Sequence, residues 1–271
     1  MPIQPARIQT LNKQSIKKGR YVLYWMQQSQ RAEYNHALKY AVQQANTLGK
    51  SVLVGFGLMD DYPEANLRHL TFMLEGLQET QATLATQGIK MVIQRGSPVD
   101  VALALGKDAA LIVCDRGYLR HQKAWRTHVA LSADCPVVQV ESDVVVPIAL
   151  VSNKAEYAAR TIRPKIHRHL DNCLVPFWPS KVKKKSLGLK IQSLDLKNIG
   201  TLLNRFSLDQ QVAPVTQSFK GGPSQALATF EDFIQNRFHR YVENRNQPQT
   251  NDISHMSPYL HFGQISPLYL A

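Results

Sequence analysis

Along the first half of the chain, short apolar runs alternate with segments whose apolar positions recur every three or four residues. Arg20 to Met26, Ser51 to Met59, Lys90 to Gln94, Ala109 to Asp115 and Pro136 to Glu141 read as buried strands. Between them, Ser29 to Leu48 places Ala37, Leu38, Ala41, Ala45 and Leu48 on one helical face, with Gly49 positioned to close it. Asn66 can cap a second helix whose apolar face is Leu67, Leu70, Met73, Leu74, Leu77 and Leu84, ended by Gly88. Ser97-Pro98-Val99-Asp100 has capping-box spacing and opens a short helix to Leu105, and another helix spans Leu119 to Leu131. Strand and helix therefore alternate as in a parallel sheet covered on both faces. The pattern predicts a five-stranded Rossmann-like or flavodoxin-like α/β domain over residues 20–151.

The pattern then fades. Residues 152–219 hold basic residues, prolines and polar stretches without sustained periodicity, apart from possible turns of helix at Glu156 to Arg160 and Pro164 to Leu170, and read as an interdomain connection. Helical spacing returns from Ser224 to Asn244, where Leu227, Phe230, Ile234, Phe238 and Tyr241 mark one face. Two helix starts follow at Ser257-Pro258 and Ser266-Pro267, each with serine as N-cap and proline as first helical residue. Residues 220–271 thus begin a helical domain.

Composition narrows the function classes. A chain of 271 residues with 44% hydrophobic content is globular, and 32 basic against 20 acidic residues leave it at +12. Nine basic residues lie between Val151 and Lys185, opposed there only by Glu156 and Asp171. Such a run is either a solvated linker or a surface for an anionic partner. Residues 1–19 carry Arg7, Lys13, Lys17 and Lys18 without an apolar block behind them and read as a polar basic tail rather than a signal peptide. No apolar run approaches the length of a membrane span. Cys114, Cys135 and Cys173 stand far apart without CxxC, which fits a reduced, cytoplasmic compartment.

Chemistry-bearing motifs are few. Ligands of open α/β sheets bind beyond the carboxyl ends of the strands, which directs attention to Gln27 to Arg31, Asp60 to Asn66, Gly96 to Pro98 and Asp115 to Arg120. None of these has a phosphate-binding glycine signature; Gly55 and Gly57 lie within a strand. Asp115 either faces a ligand or caps the following turn. His167 and His169 lack HExxH spacing or a cysteine pair, so no metal site is predicted, and no GxSxG or comparable motif names a catalytic residue. Glu75 and Glu79 read as a solvated helix edge. The segment Asp252 to Pro258 combines two serine hydroxyls with a helix start and suits a phosphate or pyrophosphate, although Ser257 could simply cap its helix.

Four segments carry a resemblance. They are Tyr24-Trp25-Met26-Gln27, Tyr62 to His69 running on into Phe72 to Leu77, Ser152 to Ile166, and Ser254 to Ser266. In order and spacing they resemble the class II cyclobutane pyrimidine dimer photolyases of the photolyase/cryptochrome superfamily. The resemblance implies an α/β domain, often with a deazaflavin or folate antenna chromophore, followed by an all-α domain that binds FAD. It further implies light-driven electron transfer from reduced FAD to a pyrimidine dimer flipped out of ultraviolet-damaged DNA, in a monomeric cytoplasmic protein with no membrane partner. By the same resemblance Ile253, Ser254, His255, Met256 and Ser257 form an FAD-contacting loop and Tyr241 adds a contact. The chain departs from the family at His255-Met256, where Asn-Leu is usual, and at His36, where Trp is usual. Family proteins also continue past the position of Ala271, so the helical domain is expected to be truncated and the 271 residues alone incomplete for activity. The competing expectation is a non-catalytic, cryptochrome-like or remnant α/β protein that binds nucleotide or DNA.

Overall fold

The computed structural model describes residues 3–59, 61–62 and 65–271. Its centre is a sheet of β1 (Ile8–Thr10), β2 (Tyr21–Trp25), β3 (Ser51–Leu58), β4 (Lys90–Arg95), β5 (Ala109–Asp115) and β6 (Val137–Val140), in the order β1-β6-β5-β2-β3-β4. The five strands β2 to β6 are parallel. Their order is that of the Rossmann fold and not the flavodoxin-like one, with the reversal of direction between β2 and β5. Alternation along each strand feeds two cores. Val22 and Tyr24 pack under α1 (His36–Thr47) and α2 (Leu67–Thr86), while Tyr21, Leu23 and Trp25 pack under α3 (Pro98–Gly106) and α4 (Arg120–Ser132).

The sheet has six strands rather than five. β1 lies antiparallel on β6, within the stretch expected to be a polar tail. Arg7 anchors it, buried to 1% exposure and donating to the carbonyls of Glu141, Val144 and Val145. Three residues are too few to show a period in sequence, so only the partner strand reveals this one. α1 also begins later than its apolar spacing suggested, at His36, because Asn35 accepts from the Leu38 N–H and fixes the start there.

The chain continues through α5 (Ile148–Val151), α6 (Ala159–His167), α7 (Leu170–Cys173) and α8 (Ile199–Leu203). Parts of this stretch pack against the sheet and its helices. Phe177 stacks on Tyr34, and Leu196, Leu202, Leu203 and Phe206 are buried in the core under α2. Residues 186–194 run beside β4, where the Ser186 and Leu194 N–H groups donate to the Gly88 and Ile93 carbonyls and Ser186 Oγ accepts from the Lys90 N–H. An exposed sheet edge is thereby covered. Because the contacts come from scattered residues, no periodicity announced them.

The last part holds α9 (Pro223–Asp232), α10 (Tyr241–Asn244), α11 (Ser257–His261) and α12 (Pro267–Leu270). The helix expected from Ser224 to Asn244 is broken: a π turn covers Phe233–Arg237 and a 3-10 turn covers Phe238–Arg240. Ser266 caps α12 as expected, whereas α11 starts one residue earlier than predicted, with Met256 in the N-cap position and Ser257 inside the helix. Among the described residues no helix is long and apolar enough to cross a membrane.

Candidate functional site

At the switch point between β2 and β5, Asp115 organises the sheet's carboxyl edge. Its Oδ2 accepts from the backbone N–H groups of Gln27, Gln28 and Ser29 at 3.0, 2.9 and 3.0 Å, and Oδ1 accepts from the Tyr24 hydroxyl at 2.7 Å. Burial pushes its carboxyl upward, with Asp143 adding to that, against the hydrogen bonds that favour the anion. Asp115 follows neither sequence reading: it holds the loop after β2 instead of the turn that follows it in the chain, and it does not line the large cavity beside that loop.

Above that loop lies a cavity of about 590 Å³. Gln27, Gln28 and Gln30 come from the loop, Phe56, Gly57 and Leu58 from β3, His69, Leu70 and Met73 from α2, Gln122 and Trp125 from α4, and Leu260, His261 and Phe262 from α11 and the residue after it. Tyr62, Ala65, Tyr118 and Leu119 also face it, so three of the four expected ligand segments contribute. Asp60, Pro63 and Glu64 of one of these lie outside the described residues. Gly96 to Pro98 do not line the cavity, since Pro98 closes onto β3 where a Cβ on Gly57 would stand 2.6 Å from the Pro98 Cα. The walls from α2, α4 and α11 were invisible in sequence, because a helix face becomes a wall only through packing.

The cavity suits a largely apolar ligand held by a few polar groups. Among the described residues its lining contains no lysine or arginine, and its one carboxylate, Asp143, is engaged by Arg31 at 2.7 Å and by the Ser29 hydroxyl at 2.9 Å. Burial, together with nearby His69, pushes the His261 imidazole down, which favours its neutral form. The polar groups left are carboxamides. Gln27 is held by the backbone of Gly57, and Gln122 donates to Gln28, whereas the buried Oε1 of Gln30 has no partner. An unsatisfied carboxamide in an apolar wall is where a ligand's polar edge would be recognised.

The second candidate, the loop at Ile253 to Ser257, stands against the helical segment. Asp252, just before it, accepts from Arg240 at 2.9 to 3.1 Å and from Asn244 at 2.5 Å, which ties the start of the loop to residues 240–244. The Tyr241 ring itself meets the Phe233 ring edge-on at 5.7 Å. His255 has φ +56°, a left-handed conformation that asparagine adopts more readily than most residues, and its Nε2 contacts Asn251 Oδ1 at 2.5 Å. That backbone shape suits the asparagine which the resemblance implies at this position.

The donor set of this loop fits a pyrophosphate. Ser254 and Ser257 bring hydroxyls, and the first turn of α11 presents N–H groups without intrahelical acceptors. Met256 departs from that picture: its side chain is buried with Phe72, Ala226, Tyr259 and Ile265, leaving only its backbone for a ligand, while Ile253 is partly exposed. Among the described residues no group of histidine, cysteine or acidic side chains could hold a metal.

One helix joins the two places. α11 follows the 253–257 loop and ends in the cavity wall, and the turn after it is fixed by Arg31, which donates to the Gly263 carbonyl at 2.9 Å.

Known proteins resemble the chain in sequence and in fold. The DNA photolyase family model matches residues 22–183. A deoxyribodipyrimidine photo-lyase of Methanothermobacter thermautotrophicus is 44% identical over 273 residues, covering 99% of this chain and 59% of that protein. The chain spans about half the length of the curated relatives it matches. Among solved structures, a class III photolyase from Agrobacterium tumefaciens superposes with a TM-score of 0.70 at 21% identity, over 94% of this chain and 53% of that one. An archaeal photolyase from Sulfolobus tokodaii, solved with two FAD molecules and discussed for a light-harvesting cofactor, gives 0.67 at 17%, over 92% and 53%. At such identities these two likenesses concern the fold.

Proposed function

The chain belongs to the DNA photolyase family, and from that premise we propose that it serves in light-driven splitting of cyclobutane pyrimidine dimers in ultraviolet-damaged DNA. The observation that carries this reading is the 44% identity to a deoxyribodipyrimidine photo-lyase, sustained over 99% of the chain. Reduced FAD would supply the light-excited electron that opens the dimer. The chain's own part is to hold that cofactor: the 253–257 backbone and the Ser254 and Ser257 hydroxyls receive the pyrophosphate, and Tyr241 borders the site. Asp252, locked to Arg240 and Asn244, sets the loop's position.

The cavity at the switch point is the antenna site in this reading. Trp125, Phe56 and Phe262 offer faces to a planar chromophore and Gln30 reads its edge, in a wall free of lysine and arginine among the described residues. Three buried, unpaired cysteines fit the reduced cytoplasm. The test is a titration of FAD against the chain and against the double variant Ser254→Ala/Ser257→Ala. Weak flavin binding that the variant loses is expected; no binding by the chain, or equal binding by both, would sink the reading.

A further inference from the structure

The basic run left open in sequence has a definite place in the fold. Residues 174–190 form a strap from the start of α1 to the amino end of β4. Phe177 packs on His36 and Tyr34. Asn46 then donates from Nδ2 to the Lys181 carbonyl at 2.9 Å and accepts from the Lys183 N–H at 2.8 Å. Val182 packs on the core, and the Ser186 N–H donates to the Gly88 carbonyl at 2.9 Å. The backbone is therefore fixed while the side chains of Lys181, Lys183, Lys184 and Lys185 stand exposed.

No acidic residue balances them. The sequence has none from Asn172 to Leu194, none in α1, and none from Thr80 through Arg95. Among the described residues these lysines form no ion pair. The carboxyl ends of α1 and α2 lie close by, but each supplies only about half a negative charge. Most of the positive charge is thus uncompensated, on a backbone held on both sides of the lysines.

We propose that this strap is a lesion-independent docking surface for the phosphate backbone of duplex DNA. Lysines on a held backbone lose less freedom on meeting phosphates than lysines on a free linker, and counterion release then favours binding. The strap's lysines border the amino ends of β3 and β4, whereas the cavity and α11 lie at the carboxyl ends of the strands, about 25 Å away along the eight residues of β3. DNA held by the strap is therefore held away from the cofactor loop. The inference rests on the repair reading for its choice of polyanion, and it assigns these lysines to affinity rather than to damage recognition.

The experiment measures binding of the full chain to a duplex and to the same duplex carrying one thymine dimer, from about 50 to 200 mM salt. The triple variant K183A/K184A/K185A should lower the slope of log affinity against log salt by about 0.9 for each lysine that neutralises a phosphate. Its loss of affinity should be equal for both duplexes, so their ratio stays unchanged. The variant K183R/K184R/K185R, which keeps the charge, should retain the slope. An unchanged slope in the alanine variant, or a loss confined to the dimer-containing duplex, would overturn the proposal. So would tighter binding to phosphatidylserine vesicles than to DNA at equal salt. If the wild type does not prefer the dimer-containing duplex, the repair reading fails while the slope still decides the fate of the strap.

Discussion

The α/β domain and the helical segment after Gly222 are held together by different physics. The five strands β2 to β6 are buried almost throughout, between two apolar cores of their own. The helical segment has a small cluster that borrows Phe72 from α2, while Ile234, Phe238 and Val242 remain exposed along its length. Its attachment is largely polar. Gln264 accepts from the Gly222 N–H at 2.7 Å and donates to the Phe72 carbonyl at 3.2 Å, lying against Gly76, where any Cβ would collide with it. Glu75 and Glu79, expected as a solvated edge, accept instead from the Gly221 and Ser224 N–H groups at 2.7 and 2.8 Å. Apolar burial thus builds one region, and a few directional bonds decide where the other sits.

Arg31 adds a further bond between the regions through the Gly263 carbonyl, and removing its side chain should have the largest effect. Arg31→Met strands Asp143 and removes donors from the Gly263 and Ser142 carbonyls, and should cost about 4 kcal/mol. Denaturation followed by limited proteolysis should show the helical segment cut first, with the sheet intact. Leu23→Ala, in the fully buried centre of the sheet, should cost about 3 kcal/mol and lower the stability of the whole chain in a single transition. Gln264→Leu leaves the buried Gly222 N–H without an acceptor and should cost about 2 kcal/mol, again exposing the helical segment to protease before the sheet melts.

Acid should act on the α/β domain through His36. Burial, helped by Arg7, Arg31 and Lys39, pushes this imidazole down to about 2 from an ordinary 6.5. The unfolded chain therefore binds the extra proton first as pH falls. Its contribution to stability is complete above pH 6.5 and shrinks by about 1 kcal/mol per pH unit towards the folded value. Denaturant midpoints measured at pH 6.5 and 5 should diverge in the wild type and draw together in His36→Phe. The smallest effect belongs to the exposed face: Phe238→Ala should change stability by no more than about 0.5 kcal/mol. A large loss there would mean that the helical segment carries a core of its own.

The two candidate sites were legible to different degrees. Gln27, Gln28, Tyr62 and Tyr118 stood in segments where strand order alone predicts a ligand edge, and all face the cavity. Met73, Trp125 and Phe262 carried no such signal, because their role depends on how α2, α4 and α11 pack together. The 253–257 loop was visible as hydroxyls before a helix start, but not the left-handed turn at His255 or the burial of Met256.

By itself, the sequence determined the parallel sheet, since continuous apolar strands must be covered on both faces and period-two alternation divides them between two cores. It also fixed the chemistry available at the carboxyl edge. Tertiary structure decided the rest. It paired Ile8 to Thr10 with β6, seated the aperiodic strap on α1 and β4, and turned Asp115 inward to hold the loop that shapes the cavity. These outcomes rest on small sets of hydrogen bonds between residues far apart in the chain. Such bonds leave no period in a sequence, whereas burial over a whole strand or helix does.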